Sequence, residues 1–268
     1  MRHLSIAAIA AASTITFTQI ASAADLPRKA PALAPVVAAP PSWTGWYAGL
    51  NAGYGFGSES NTFNFPPGAL APPRNFDNVS YSDQLNGFAG GGQIGYNFQI
   101  TPNSWVAGVE ADLQYTNFKG SASNSGIDPF GFISPHWTYN QDQKVNWLAT
   151  VRGRLGWTPG DHTFLFYATG GLAVGGVKAS NSLPYASVIP ITWAGNASAT
   201  KTGWTLGGGV EVRLTGNWSA KLEYLYYDLG HLTVVGNPNI VYPYTNTTDF
   251  AFNGNIVRAG LNYKFTSN

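Results

Sequence analysis

The chain has 268 residues, 44% apolar and only 10% charged, and its 14 Lys+Arg against 13 Asp+Glu leave no basic excess for nucleic acid. It holds 32 Gly, 15 Phe, 14 Tyr and 9 Trp, too aromatic and too sparsely charged for a disordered chain. There is no Cys, which excludes disulfides, thiolate metal sites and an acylated lipid anchor.

In chain order, Arg2 and His3 precede an Ala- and Ile-rich stretch from Leu4 to Ile20, and Ala21-Ser22-Ala23 fits a small-x-small cleavage site. Residues 1–23 are therefore expected to be a cleaved signal peptide. Its removal takes away Arg2 and leaves 13 charges of each sign. Past residue 23 no apolar run reaches the roughly 18 residues of a membrane helix. Residues 24–42 carry Pro at 27, 31, 35, 40 and 41, which favours an extended polyproline II tether. They are expected to form a periplasmic lead-in, with contact to peptidoglycan as its functional interpretation.

From Trp43 onward the sequence alternates with period two, the mark of strands with one apolar face. In Trp46–Gly57 the even positions are Trp46, Ala48, Leu50, Ala52, Tyr54 and Phe56, and the odd ones are mostly Gly. Residues 87–100 set Phe88, Ile94, Tyr96 and Phe98 against Gln93, Asn97 and Gln99. Residues 105–117 set Trp105, Val109 and Leu113 against Glu110, Asp112 and Gln114. Residues 144–157 set Val145, Trp147, Val151, Leu155 and Trp157 against Lys144, Asn146, Thr150, Arg152 and Arg154. Residues 164–177 are apolar on both faces and are left unoriented. Residues 203–214, 218–229 and 255–265 alternate again, with Glu211, Arg213, Lys221, Glu223, Arg258 and Lys264 on the polar side.

The eight strands are joined alternately by tight turns (101–104, 158–163, 215–217) and by long Asn-, Ser-, Pro- and Gly-rich links (about 58–86, 118–143, 178–202 and 230–251). Short and long connections alternating around eight antiparallel strands describe an all-β transmembrane barrel with short periplasmic turns and four long extracellular loops. A soluble sandwich would turn its apolar face inward; a membrane barrel turns it outward. The polar faces carry Glu110, Asp112, Arg152, Arg154, Glu211, Arg213, Lys221, Glu223, Arg258 and Lys264, ten charges expected in the barrel interior, where they can be tolerated if paired. Trp46, Trp105, Trp157, Trp218, Tyr263 and Phe265 fall at the periplasmic strand ends, with Trp43 beside them. Tyr54, Phe56, Phe88, Tyr115, Trp147, Trp204, Tyr224 and Tyr226 fall near the opposite ends. Two aromatic rings bounding a band of Leu, Val, Ala and Ile are the girdles of a membrane barrel.

Several ordered segments also carry a resemblance: Trp43-Thr44-Gly45-Trp46-Tyr47-Ala48-Gly49, Gly92-Gln93-Ile94-Gly95-Tyr96-Asn97, Gly108-Val109-Glu110-Ala111-Asp112, Arg152-Gly153-Arg154-Leu155-Gly156, Tyr167-Ala168-Thr169-Gly170-Gly171, Gly203-Trp204-Thr205-Leu206-Gly207-Gly208-Gly209, Lys221-Leu222-Glu223-Tyr224 and Asn262-Tyr263-Lys264-Phe265. Together with Ala24-Asp25-Leu26-Pro27 they resemble the alphaproteobacterial 25/31-kilodalton major outer-membrane proteins (RopB-type), relatives of OmpA-like eight-stranded barrels. The resemblance spans nearly the whole chain except the long links. One departure is the end: family barrels close on an aromatic residue, whereas Thr266-Ser267-Asn268 follow Phe265 here.

Other sites are weak. Gly90–Gly95 fits G-x-G-x-x-G, but strand alternation runs through it and no helix follows, so a dinucleotide site is rejected. His136, His162 and His231 show no ligand spacing. Ser134, His136 and Asp228 supply the residue types of a rim hydrolase, but no spacing selects them. The interior charges form either a pore lining or, as eight strands enclose little space, a packed salt-bridge plug. The sequence therefore points to a non-enzymatic outer-membrane barrel without cofactor or metal, structural and surface-displaying in the envelope. Its expected partners are outer-membrane lipid, lipopolysaccharide and the barrel-assembly machinery. The alternative is a small porin or a ligand-capture barrel; the resemblance implies haem as a ligand.

Overall fold

The computed structural model describes residues 42–65, 79–100, 104–127, 136–186 and 189–265. The expected signal peptide, the lead-in apart from Ser42, Thr101 to Asn103, Ser134 and Thr266 to Asn268 lie outside the described residues. The alternating segments form β1 (Gly45–Asn64), β2 (Val79–Gln99), β3 (Trp105–Ile127), β4 (His136–Trp157), β5 (Phe164–Ala186), β6 (Ile191–Arg213), β7 (Trp218–Pro238) and β8 (Asn246–Lys264). Each pairs antiparallel with the next, and β8 returns to β1, Tyr47 opposite Lys264, to close the barrel. Closure leaves every strand with two neighbours, so no backbone edge faces lipid unpaired.

The strands are longer than the alternation suggests. Much of what reads as long loops is ladder: the outer connections shrink to 65–78, 128–135, 187–190 and 239–245. The ladder needs only backbone groups, so Ser121–Gly126 pairs with Trp137–Asp142 although its side chains carry no apolar signal.

The outward-facing wall of the barrel is apolar. Leu50 is 72% exposed, and Ile94, Val109, Leu113, Val151, Leu155, Leu172, Leu206, Leu222 and Leu261 are exposed with it. Trp46, Trp105, Trp157, Trp218, Tyr263 and Phe265 ring the lower end, with Trp105 opposite Trp157 and Trp218 opposite Tyr263. Tyr54, Phe56, Phe88, Tyr115, Trp204 and Tyr224 ring the upper end. Trp46 to Phe56 spans about 33 Å of strand, hence about 25 Å of height at a tilt of about 40°, the thickness of an outer-membrane apolar band. Trp43 departs from the ring. It is buried inside the periplasmic mouth, where its indole N–H donates to the His162 carbonyl at 3.1 Å.

Two strands change phase. An extra residue at Asn146 bulges β4, so Val145 is buried inside while Lys144 is exposed, the reverse of the faces expected. Leu229-Gly230 does the same in β7, where Gly230 sits at φ 73° and Leu232 and Val234 turn inward beyond it. A bulge displaces the side-chain alternation by one residue. β5 proves to be uniform: Leu165, Tyr167, Ala173 and Val177 point in, Phe164, Phe166 and Leu172 out.

The interior is layered rather than polar throughout. Above the charged layer, Leu85, Phe118, Val145, Leu148, Leu225, Tyr227, Phe250, Phe252 and Ile256 form an apolar cluster. Polar Glu59, Asn61, Gln141 and Gln143 are buried on the same inner faces beyond it, and Phe63, Phe65, Tyr139, Tyr185 and Trp193 pack at the outer end. Gly55 makes room for this filling. A Cβ there would stand 2.4 Å from Phe118 Cζ. Gly55→Ala is expected to cost about 1–3 kcal/mol by overpacking, and to be near neutral in a Phe118→Ala background. Urea unfolding in lipid vesicles measures both, and equal costs in the two backgrounds would show that the ring is not the obstacle.

Candidate functional site: the buried charge cluster

Inward positions of five strands deliver charge to one level. β3 contributes Glu110 and Asp112, β4 Arg152 and Arg154, β6 Glu211, β7 Lys221 and Glu223, and β8 Arg258, all buried. Strict alternation places each i, i+2 pair on one face, and antiparallel register sets Glu110 opposite Arg152, Glu211 opposite Lys221 and Glu223 opposite Arg258.

Arg152 is the hub and is 1% exposed. Its guanidinium meets Glu110 at 2.5 Å, Asp112 at 2.8 Å and Glu223 at 3.0 Å. Arg258 meets Glu223 at 2.5 Å and Asp112 at 3.2 Å. Lys221 reaches Glu110 at 2.8 Å, and Arg154 reaches Glu211 at 2.9 Å. Four carboxylates thus face four cations, so the cluster carries no net charge.

Neutral donors complete it. Tyr47 donates to Glu110 at 2.8 Å, Tyr167 to Glu223 at 3.0 Å, Ser219 and Asn262 to Glu211 at 2.6 and 2.8 Å, and Thr150 to Asp112 at 2.7 Å. Arg154 stacks over the Tyr167 ring at 4.0 Å. Removing charges from water costs several kcal/mol per ion, and only this density of opposite charges and hydrogen bonds offsets it. Sequence reasoning missed the two tyrosines; for Tyr47 the available signal was a large side chain on a face otherwise made of small residues, whereas Tyr167 lies on a strand apolar on both faces and gave none.

Two of the ten charges expected inside stay out of the cluster. Arg213 and Lys264 sit on inner faces at the periplasmic mouth, partly buried, beside a cavity of about 290 Å³ lined by Trp43, Asn97 and Trp218. The Arg213 guanidinium lies 4.2 Å from the Trp43 ring, and Lys264 donates to the Ser42 carbonyl. They end β6 and β8 below the packed layer, where Glu211 lines the same cavity but, among the described residues, forms no ion pair with either of them.

The weaker candidates are not assembled. His136 opens β4 at its outer end and Asp228 sits opposite Trp204 in the girdle zone. His162 lies in the β4–β5 turn at φ 60°, and His231 follows the β7 bulge, exposed. Gly90–Gly95 lies within β2 and pairs with both neighbouring strands.

Comparison with known proteins agrees with this architecture. Residues 30–265 match the outer membrane protein beta-barrel domain. The chain is 38% identical to the 31 kDa outer-membrane immunogenic protein of Brucella melitensis, over 99% of this chain and 100% of that one. It is 31% identical to the 22 kDa outer membrane protein of Rhizobium leguminosarum bv. viciae, over 70% of this chain and 64% of that one. Among solved structures, OprG from Pseudomonas aeruginosa aligns with a TM-score of 0.44 at 11% identity, over 84% of this chain and 97% of that one. By the extent of its family match and its full-length similarity to the 31 kDa immunogenic protein, this chain belongs to the outer-membrane β-barrel family, within the group of alphaproteobacterial outer-membrane proteins, and its place is the outer membrane.

Proposed function

We propose that this protein is a closed, non-enzymatic barrel that reinforces the envelope and displays its outer hairpins at the cell surface. The observation that carries this is the neutral cluster of four acids and four bases lying beneath an apolar layer that includes Phe118, Phe250 and Phe252. A conducting path needs weakly held, hydrated charges; here each side chain is buried and bonded to several others. Surface display is supported by the name of the Brucella relative, an immunogenic protein of the outer membrane.

The chain without residues 1–23, reconstituted in planar bilayers and verified as folded, is expected to give no steady unitary conductance. Steady openings would overturn the closed reading. Neutralising Arg152 and Arg154 would then be expected to change ion preference, because both face the lumen.

A further inference from the structure

The β4 bulge that buries Val145 turns Lys144 to the outer wall, and the register then sets three lysines in a row. Lys119 of β3 stands directly opposite Lys144 of β4, and Lys144 directly opposite Lys178 of β5. All three are exposed. Among the described residues none of them makes an ion pair. Like charges directly opposite on adjacent strands destabilise a sheet, so the row needs an outside anion to be favourable. Asp142, two residues from Lys144, lines the grooves on both sides and buried Asp83 lines one of them, so two acids stand beside three cations.

The height and the surroundings of the row identify the anion's carrier. Lys119 is four residues beyond Tyr115 of the upper girdle and Lys144 three beyond Trp147, about 10 Å above the apolar band. Directly below, the same three strands present exposed Leu113, Val151 and Leu172 to lipid. The row spans about 10 Å across three strands. It is flanked by a groove of about 530 Å³ running past Ser180, Asn196 and Ser198 and one of about 590 Å³ running past Gln84, Asn86 and Ser121. An apolar strip topped by a row of ammonium groups matches an amphiphile with acyl chains and an anionic headgroup.

We propose that Lys119, Lys144 and Lys178 form a docking site for the phosphorylated headgroup of an outer-leaflet lipid. The proposal rests on the outward orientation of the long hairpins and is independent of whether the lumen conducts. A Lys near an anionic lipid surface contributes about fivefold in affinity, so three contribute on the order of 100-fold.

The test compares the chain without residues 1–23 with its Lys119→Gln/Lys144→Gln/Lys178→Gln variant, and, as control, with Lys201→Gln, a partly buried lysine of β6 outside the row. Bisphosphorylated lipid A, dephosphorylated lipid A and inorganic phosphate serve as probes, and folding is verified by heat-modifiable gel mobility. The parent is expected to bind bisphosphorylated lipid A on the order of 100-fold more tightly than the triple variant, and Lys201→Gln to bind like the parent. The triple variant should also be at least as resistant to unfolding as the parent in neutral detergent, where only the repulsion is lost, and less resistant than the parent in lipid A vesicles. That reversal is not produced by a purely structural role.

Equal binding by parent and triple variant, or equal binding of the dephosphorylated lipid, overturns the proposal. Inorganic phosphate displacing lipid A at equal concentration overturns the assignment to a lipid. Orientation is read separately by labelling Ile240→Cys on intact cells with an impermeant maleimide, since the chain has no other Cys.

Discussion

Arg152→Ala is expected to destabilise the barrel by about 3–5 kcal/mol, the usual cost of removing one partner from a buried charge network. Arg152 bonds Glu110, Asp112 and Glu223 at 2.5, 2.8 and 3.0 Å from a position 1% exposed. Its removal leaves four carboxylates against three cations in a space sealed above by apolar side chains. The matched control is Arg213→Ala, which removes the same group from the mouth, where its recorded partner is the Trp43 ring at 4.2 Å. A partly buried cation–π contact contributes about 1–2 kcal/mol, so the two arginines should differ by at least about 1 kcal/mol. Urea unfolding in lipid vesicles, followed by Trp fluorescence, reads the difference. Equal small effects would mean that water screens the cluster, and the closed-barrel proposal would fail with it.

Phe118→Ala is expected to cost a similar amount, about 3–5 kcal/mol, by a different cause. The ring is 1% exposed, lies stacked on Tyr227 with centroids 6.1 Å apart and an 18° interplanar angle, and fills the space left by Gly55. Truncation forfeits the transfer energy of the ring and leaves a cavity that closed strands cannot collapse around. The stack adds about 0.5–1.5 kcal/mol beyond area burial. Phe118→Leu should recover more than half of the loss, because it refills most of the volume. A loss below about 1 kcal/mol for the alanine variant would show that the apolar layer is loosely packed.

The lipid-facing wall was legible because a strand's period of two is a local property. Trp46, Leu50 and Tyr54 announce their common face by spacing alone, and Trp105, Trp157 and Trp218 mark the interface by falling at strand ends. The inward faces of β3, β7 and β8 were legible for the same reason, and with them Glu110, Asp112, Lys221, Glu223 and Arg258. The ladder of Ser121–Gly126 was not, since backbone pairing leaves no mark on exposed polar side chains.

The sequence by itself thus determined the strand number and which side chains share a face over most of each strand, both of which follow from alternation within single segments. Only the tertiary structure decided which acid meets which base, because Arg152 reaches Glu223 across the lumen of the closed ring and not through neighbouring strands. It also decided the reversal of Val145 and Lys144 at the Asn146 bulge, since a one-residue insertion is defined only against the partner strand. The row of Lys119, Lys144 and Lys178 has the same origin: three residues distant in the chain become neighbours through register, which cooperative pairing around a closed barrel sets.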